Sequence, residues 1–164
     1  MSTGLIITLI IGIGILVAVF GFSIKAHNKL IEEGKIAKRR TDFANYSSEF
    51  TSKIGSKDAV TAAVRQLDYK SIRANMEGNS AQQKFRFTGL GYSAVLKLIA
   101  FDEMSGVAIY EFGFTQFQTN GSIPKNALSM NKLLTQIEQM FFSLDPNTGV
   151  KSHKVDFKTR HSFF

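Results

Sequence analysis

The chain contains no cysteine, which excludes disulfides, thiolate metal sites and cysteine nucleophiles and leaves the redox compartment undecided. Histidine is almost as scarce. His27 stands alone, and His153 and His161 lie eight residues apart, too sparse a set to point to a zinc site. Asp102 and Glu103 are the only adjacent acidic pair outside residues 25–55, and they fall in an expected hairpin loop where turn chemistry accounts for them. Thr88-Gly89-Leu90-Gly91-Tyr92 lacks the Gly-Lys-Ser/Thr ending of a phosphate loop and precedes no helix, so the arrangement that makes such loops work is missing. No catalytic constellation is visible, and no cofactor or metal is implied. With only two prolines and 44% hydrophobic residues, the composition is that of a folding chain and excludes compositional disorder.

Charge is absent from the first 24 residues, and what fills that gap is informative. From Gly4 to Ile24 the chain reads GLIITLIIGIGILVAVFGFSI, long enough as a helix to cover about 30 Å of bilayer. A cleaved secretory signal needs a basic start, a shorter apolar core and a small-residue cleavage site. None of these is present, so residues 1–24 are expected to form an uncleaved transmembrane anchor. Gly14, Ala18 and Gly21 place small residues where a second membrane helix could approach closely.

The net charge of +7 is unevenly spread. Residues 25–44 carry +3, residues 150–164 another +3, and the stretch between them is close to neutral. Lys25, Lys29, Lys35, Lys38, Arg39 and Arg40 crowd the flank after the apolar run, which favours a cytoplasmic domain, with a periplasmic or extracellular one as the alternative. These six side chains are expected to meet anionic lipid. In the tail, Lys151, Lys154, Lys158 and Arg160 with Phe163 and Phe164 suggest a second contact with membrane or partner. The neutral middle argues against nucleic acid.

Periodicity then supplies the architecture. Ile36, Phe43, Tyr46, Phe50 and Ile54 recur at helical spacing, so residues 25–55 read as a basic helical stalk, interrupted if anywhere at Gly34. A soluble domain is expected over 56–164. It opens with a helix from Lys57 to about Ala74 that ends before the turn-forming Glu77-Gly78-Asn79-Ser80. Strands follow at 84–88, 92–101 and 107–118, the second apolar on both faces as in a sheet centre. The strongest helix runs along Met130, Leu133, Ile137, Phe141 and Leu144, and a last strand covers about 150–159. The order α-β-β-β-α-β describes an α+β fold with a mainly antiparallel four-stranded sheet and helices on one face.

The functional expectation is a single-pass, membrane-anchored interaction module, an accessory or assembly subunit that meets a protein partner or a second copy of itself. One alternative is a binder of a lipid or small apolar ligand, held among Phe85, Phe87, Tyr110, Phe112, Phe114 and Phe117. A second is an enzyme whose polar groups converge only in three dimensions.

Overall fold

The computed structural model describes residues 25–121 and 123–155. It divides into two compact units, the first ending at Lys38 and the second beginning at Arg39. The expected span, with Gly14, Ala18 and Gly21, lies outside the described residues. Among those that are described, no helix is long and apolar enough to cross a membrane.

In the first unit residues 25–32 are helical (α1). Gly34 closes the helix at φ +67°, a left-handed conformation that glycine adopts without a steric cost. The Gly34 and Lys35 amides donate back to the Ile31 and Leu30 carbonyls. The break allowed for at Gly34 is present, but the helical stalk expected through residue 55 is corrected, because residues 46–53 form a strand.

The second unit starts with a 3-10 turn, Phe43–Asn45, and then enters a strand, β1, Tyr46–Lys53. After β1 come α2 (Lys57–Arg65), a short α3 (Tyr69–Ile72), β2 (Ala74–Asn79), β3 (Lys84–Gly89), β4 (Tyr92–Asp102) and β5 (Val107–Phe117). A small hairpin of β6 (Thr119–Asn120) and β7 (Ile123–Pro124) leads into α4 (Ala127–Leu144) and the last strand, β8 (Gly149–Lys154). The main sheet has six strands in the order β2-β3-β4-β5-β1-β8, and every pairing in it is antiparallel. The fold is therefore α+β, as expected, but with six strands in place of four.

Both added strands have physical reasons. In β1 the residues facing the helices are Ser48, Phe50 and Ser52, so hydrophobic alternation is lost. The buried hydroxyls are instead satisfied across the sheet, Ser52 by Thr148 at 2.5 Å and Ser48 by Ser152 at 3.5 Å. The strand is held by ladders to β5 and β8, partners remote in sequence that no local pattern announces. β2 runs through the expected turn residues because Gly78 must lie beneath a ring. A Cβ there would come within 2.6 Å of the Phe85 side chain.

Alternation governs the rest of the sheet. Phe85, Phe87, Tyr92, Leu96, Tyr110, Phe112 and Phe114 are buried together with Val60, Val64 and Ile72 from α2 and α3 and Met130, Leu133, Ile137 and Phe141 from α4. Phe50 stacks on Phe141 with ring centroids 4.6 Å apart, joining sheet to helix. β4 is central only in its first half. β3 begins at Lys84, opposite Lys97, and past the Leu98 amide, which donates to the Gln83 carbonyl, β4 pairs with β5 alone; Ile99 falls at a register shift and is exposed.

Candidate functional site: the open face of the sheet

Side chains that alternate with the core line a groove of about 600 Å³ on the opposite face of the sheet, within the range typical of ligand sites. Lys84, Arg86 and Thr88 come from β3, Ser93, Val95 and Lys97 from β4, Glu111 and Gly113 from β5, and Ser47 from β1. Gly113 leaves the floor of the groove bare. A Cβ at that position would lie 2.5 Å from the Ser47 hydroxyl oxygen, so any side chain there would have to turn the Ser47 hydroxyl aside.

The register sets charges in a row across the strands. Lys84 stands opposite Lys97, Lys97 opposite Glu111, Glu111 opposite Glu49, and Glu49 opposite Lys151. Directly opposed residues on one face have Cβ atoms about 5 Å apart, where like charges destabilise the pair. Glu111 compensates Lys97, whose Nζ lies 2.8 Å from its carboxylate, and His153 Nε2 approaches the other oxygen at 3.3 Å. The hydrogen bond from Lys97, helped by the charges of Lys97 and His153, holds the Glu111 carboxyl below the usual carboxylate range against the opposing effect of burial. Across the β2–β3 ladder Arg86 stands opposite Glu77, whereas Lys84 stands opposite Asn79 on one side and Lys97 on the other, with no acidic residue directly across from it. The groove thus offers Lys84, which has no acidic cross-strand neighbour, beside Arg86, with several hydroxyls and a floor of Val95 and Gly113. That chemistry suits recognition of a carboxylate or another oxyanion.

The side chains singled out in the sequence are distributed differently. Lys25, Lys29, Lys35 and Lys38 are exposed in the first unit, where Glu33 meets Lys35 at 2.7 Å and Lys29 at 3.8 Å. Arg40 is exposed and pairs with Asp42. Arg39 is drawn inward: its guanidinium contacts Asn131, Thr135 and Glu138 on α4. Lys151 and Lys154 are exposed on β8, the sheet edge, while Lys158, Arg160, Phe163 and Phe164 lie outside the described residues.

Asp102 does serve its turn, accepting from the Met104 amide and the Ser105 hydroxyl. Gly89-Leu90-Gly91 joins β3 to β4. The aromatic set considered as a ligand pocket is occupied by its own rings, with Phe112 and Phe114 edge to face at 5.3 Å and Tyr110 against Phe141 at 5.4 Å. Lys84 and Arg86, which the sequence reading passed over, were marked by strict alternation with Phe85 and Phe87. That pattern assigns them to the face away from the core.

Compared with protein-family models, curated proteins and solved structures, the chain matches none.

Proposed function

We propose that the chain is a non-enzymatic interaction module, tethered by residues 4–24 with its domain on the cytoplasmic side, that docks an acidic segment of a protein partner in the groove of its open sheet face. The opposition of Lys84 to Lys97 carries this reading. Glu111 engages Lys97 but leaves Lys84 facing it without an acidic cross-strand neighbour; like charges so opposed cost stability, and sequences tend to keep such local conflicts where function requires them. A carboxylate placed between Lys84 and Arg86 would relieve the conflict with charge-assisted hydrogen bonds. Among the described residues that line the groove, Glu111 is the one carboxylate, and it is already engaged by Lys97 and His153, which favours binding over acid–base chemistry. An accessory or assembly subunit of a membrane complex would use a surface of this kind.

The test is calorimetric titration of the full-length protein in detergent micelles with an oligoglutamate peptide. Binding is expected to weaken as salt rises, and to fall at least tenfold in a Lys84→Glu/Arg86→Glu double variant. Binding of that variant with unchanged affinity would remove the groove from consideration.

A further inference from the structure

The two ends of the sheet differ in chemistry. At one end the β4–β5 turn meets the start of α2 and the end of α4. Lys53 pairs with Val107 in the ladder and donates its amide to Asp145, the Ile54 amide donates to the Gly106 carbonyl, and Asp102 pairs with Val107. Asp58, Asp102, Glu103 and Asp145 gather there, outnumbering the two cations Lys53 and Lys57, and Met104 is exposed in the turn between β4 and β5. At the other end the β3–β4 turn, the β6–β7 hairpin and the start of α4 come together, and no carboxylate occurs from Gly89 to Tyr92 or from Thr119 to Leu128.

What this second end presents is apolar. Leu90 is 71% exposed, Ile123 49% and Leu128 45%. Tight turns ordinarily carry Asn, Asp, Gly or Ser at such positions, so a leucine held out at the tip of Gly89-Leu90-Gly91 calls for a reason. The segments that carry these side chains are tied to each other. Asn126 Nδ2 donates to the Leu90 carbonyl, the Gln118 amide to the Gly91 carbonyl, and the Lys125 amide to the Gln118 carbonyl at 2.9 Å. Cations border the cluster. Lys125 follows the hairpin, and the pairing of Ala74 with Gly89 brings Arg73 to the same end. Lys154, opposite Tyr46 where β1 begins, lies at this end on the edge strand, with β5 and β1 between it and β4. All three are exposed.

The geometry points to a bilayer-contacting rim: Leu90, Ile123 and Leu128 enter the headgroup and upper acyl region of an anionic leaflet while Arg73, Lys125 and Lys154 meet its phosphates. Shallow apolar insertion bordered by Lys and Arg is how interfacial segments bind anionic membranes. The acidic opposite end is then turned away from the negative surface. This inference rests on the tethered-module reading in one respect, because a membrane anchor keeps the domain within reach of lipid. It is separate from the groove, which lies on the sheet face and stays open to a partner.

The absence of cysteine allows a clean experiment on the full-length protein, reconstituted in vesicles of phosphatidylcholine and phosphatidylglycerol. A single environment-sensitive dye is attached through Asn120→Cys on the hairpin or through Met104→Cys in the acidic turn, where Met104 is fully exposed. The dye at position 120 is expected to shift to the blue and to be quenched by brominated acyl chains, while the dye at 104 reports water. Adding Leu90→Glu and Ile123→Glu should abolish the quenching at 120 without releasing the protein under carbonate washing. Protein that resists carbonate but reports water at 120, or equal quenching at both sites, would overturn the rim and leave the anchor standing. Protein that washes off the vesicles would overturn the anchor and the rim together.

Discussion

Arg39 grips Glu138 with a bidentate fork, Nη1 to one carboxylate oxygen at 3.0 Å and Nη2 to the other at 2.5 Å. The same guanidinium reaches Asn131 through Nε at 2.9 Å and Thr135 through Nη2 at 3.3 Å. Residues 131, 135 and 138 lie one and two turns apart on one side of α4, so a single side chain fixes the segment leading into β1 along the helix. Both members of the pair are largely shielded, at 15% and 22% side-chain exposure, which separates this bridge from the weak surface pairs such as Arg40 with Asp42.

Arg39→Ala is therefore expected to cost about 2 kcal/mol, since it strands a half-buried carboxylate. Arg39→Lys should recover little of that, because an ammonium cannot reproduce the planar fork. Urea unfolding of the full-length protein in detergent, followed by near-UV circular dichroism, measures both. A lysine variant as stable as the parent would show that charge alone suffices at this position.

A second polar device sits inside the core. Tyr110 donates to Gln83 Oε1 at 2.7 Å, and Gln83 Nε2 donates to the Thr61 hydroxyl at 2.9 Å and to the Ser80 carbonyl at 2.7 Å. Gln83 holds a left-handed backbone at φ +48°, a conformation that a non-glycine residue adopts only when its surroundings enforce it. Tyr110→Phe keeps the ring and removes the donor, leaving a buried amide oxygen unsatisfied at a cost of about 1–3 kcal/mol. Combining it with Gln83→Leu should be less harmful than the two single losses added together, and a double-mutant cycle measures that coupling.

Alkali provides a third check. Burial pushes the Tyr69 and Tyr92 hydroxyls up to about 12 and raises Tyr110 as well. An unfolded tyrosine ionises near pH 10, so above that pH the unfolded chain loses protons that the folded chain retains. Stability conferred by the neutral buried phenols is complete below about pH 10 and declines as pH rises toward about 12. The expected result is a denaturation midpoint that falls across this window, with late and cooperative phenolate absorbance at the unfolding step. Early, gradual ionisation of these tyrosines in the folded protein would contradict the burial.

How much of this fold could be read in advance depended on whether burial left a periodic trace. α4 was legible because Met130, Leu133, Ile137 and Phe141 all face the core, and β3 because Phe85 and Phe87 alternate with Lys84 and Arg86. β1 was not. Its core-facing positions are two serines around Phe50, and Phe43, Tyr46, Phe50 and Ile54 happen to fall at helical spacing, so the local pattern pointed to the wrong period. β2 hid behind Gly78 and Asn79, which read as a turn when the Phe85 ring above them is unknown. Of the groove, the outward cations were legible one strand at a time. The opposition of Lys84 to Lys97 depends on strand register, and a slip of one residue would send either side chain to the other face.

That opposition yields the sharpest expectation, because stability and binding should move in opposite directions on one substitution. Lys84→Glu replaces a repulsive cross-strand neighbour of Lys97 with an attractive one, and exposed cross-strand pairs of this kind contribute about 0.2–1 kcal/mol. The variant is expected to unfold at a slightly higher urea concentration than the parent. It should also lose most affinity for oligoglutamate, since it places a carboxylate where the ligand's own would sit beside Arg86. Added salt should narrow the stability gain while further weakening what binding remains, as both effects are electrostatic at exposed positions. A substitution chosen only for fold stability would not be expected to abolish binding, and one that merely damaged the fold would not raise the unfolding midpoint. Observing both changes in Lys84→Glu would identify the like-charge pair as a feature kept for a ligand, whereas a variant that is destabilised, or that binds as well as the parent, would assign Lys84 to the solvated surface.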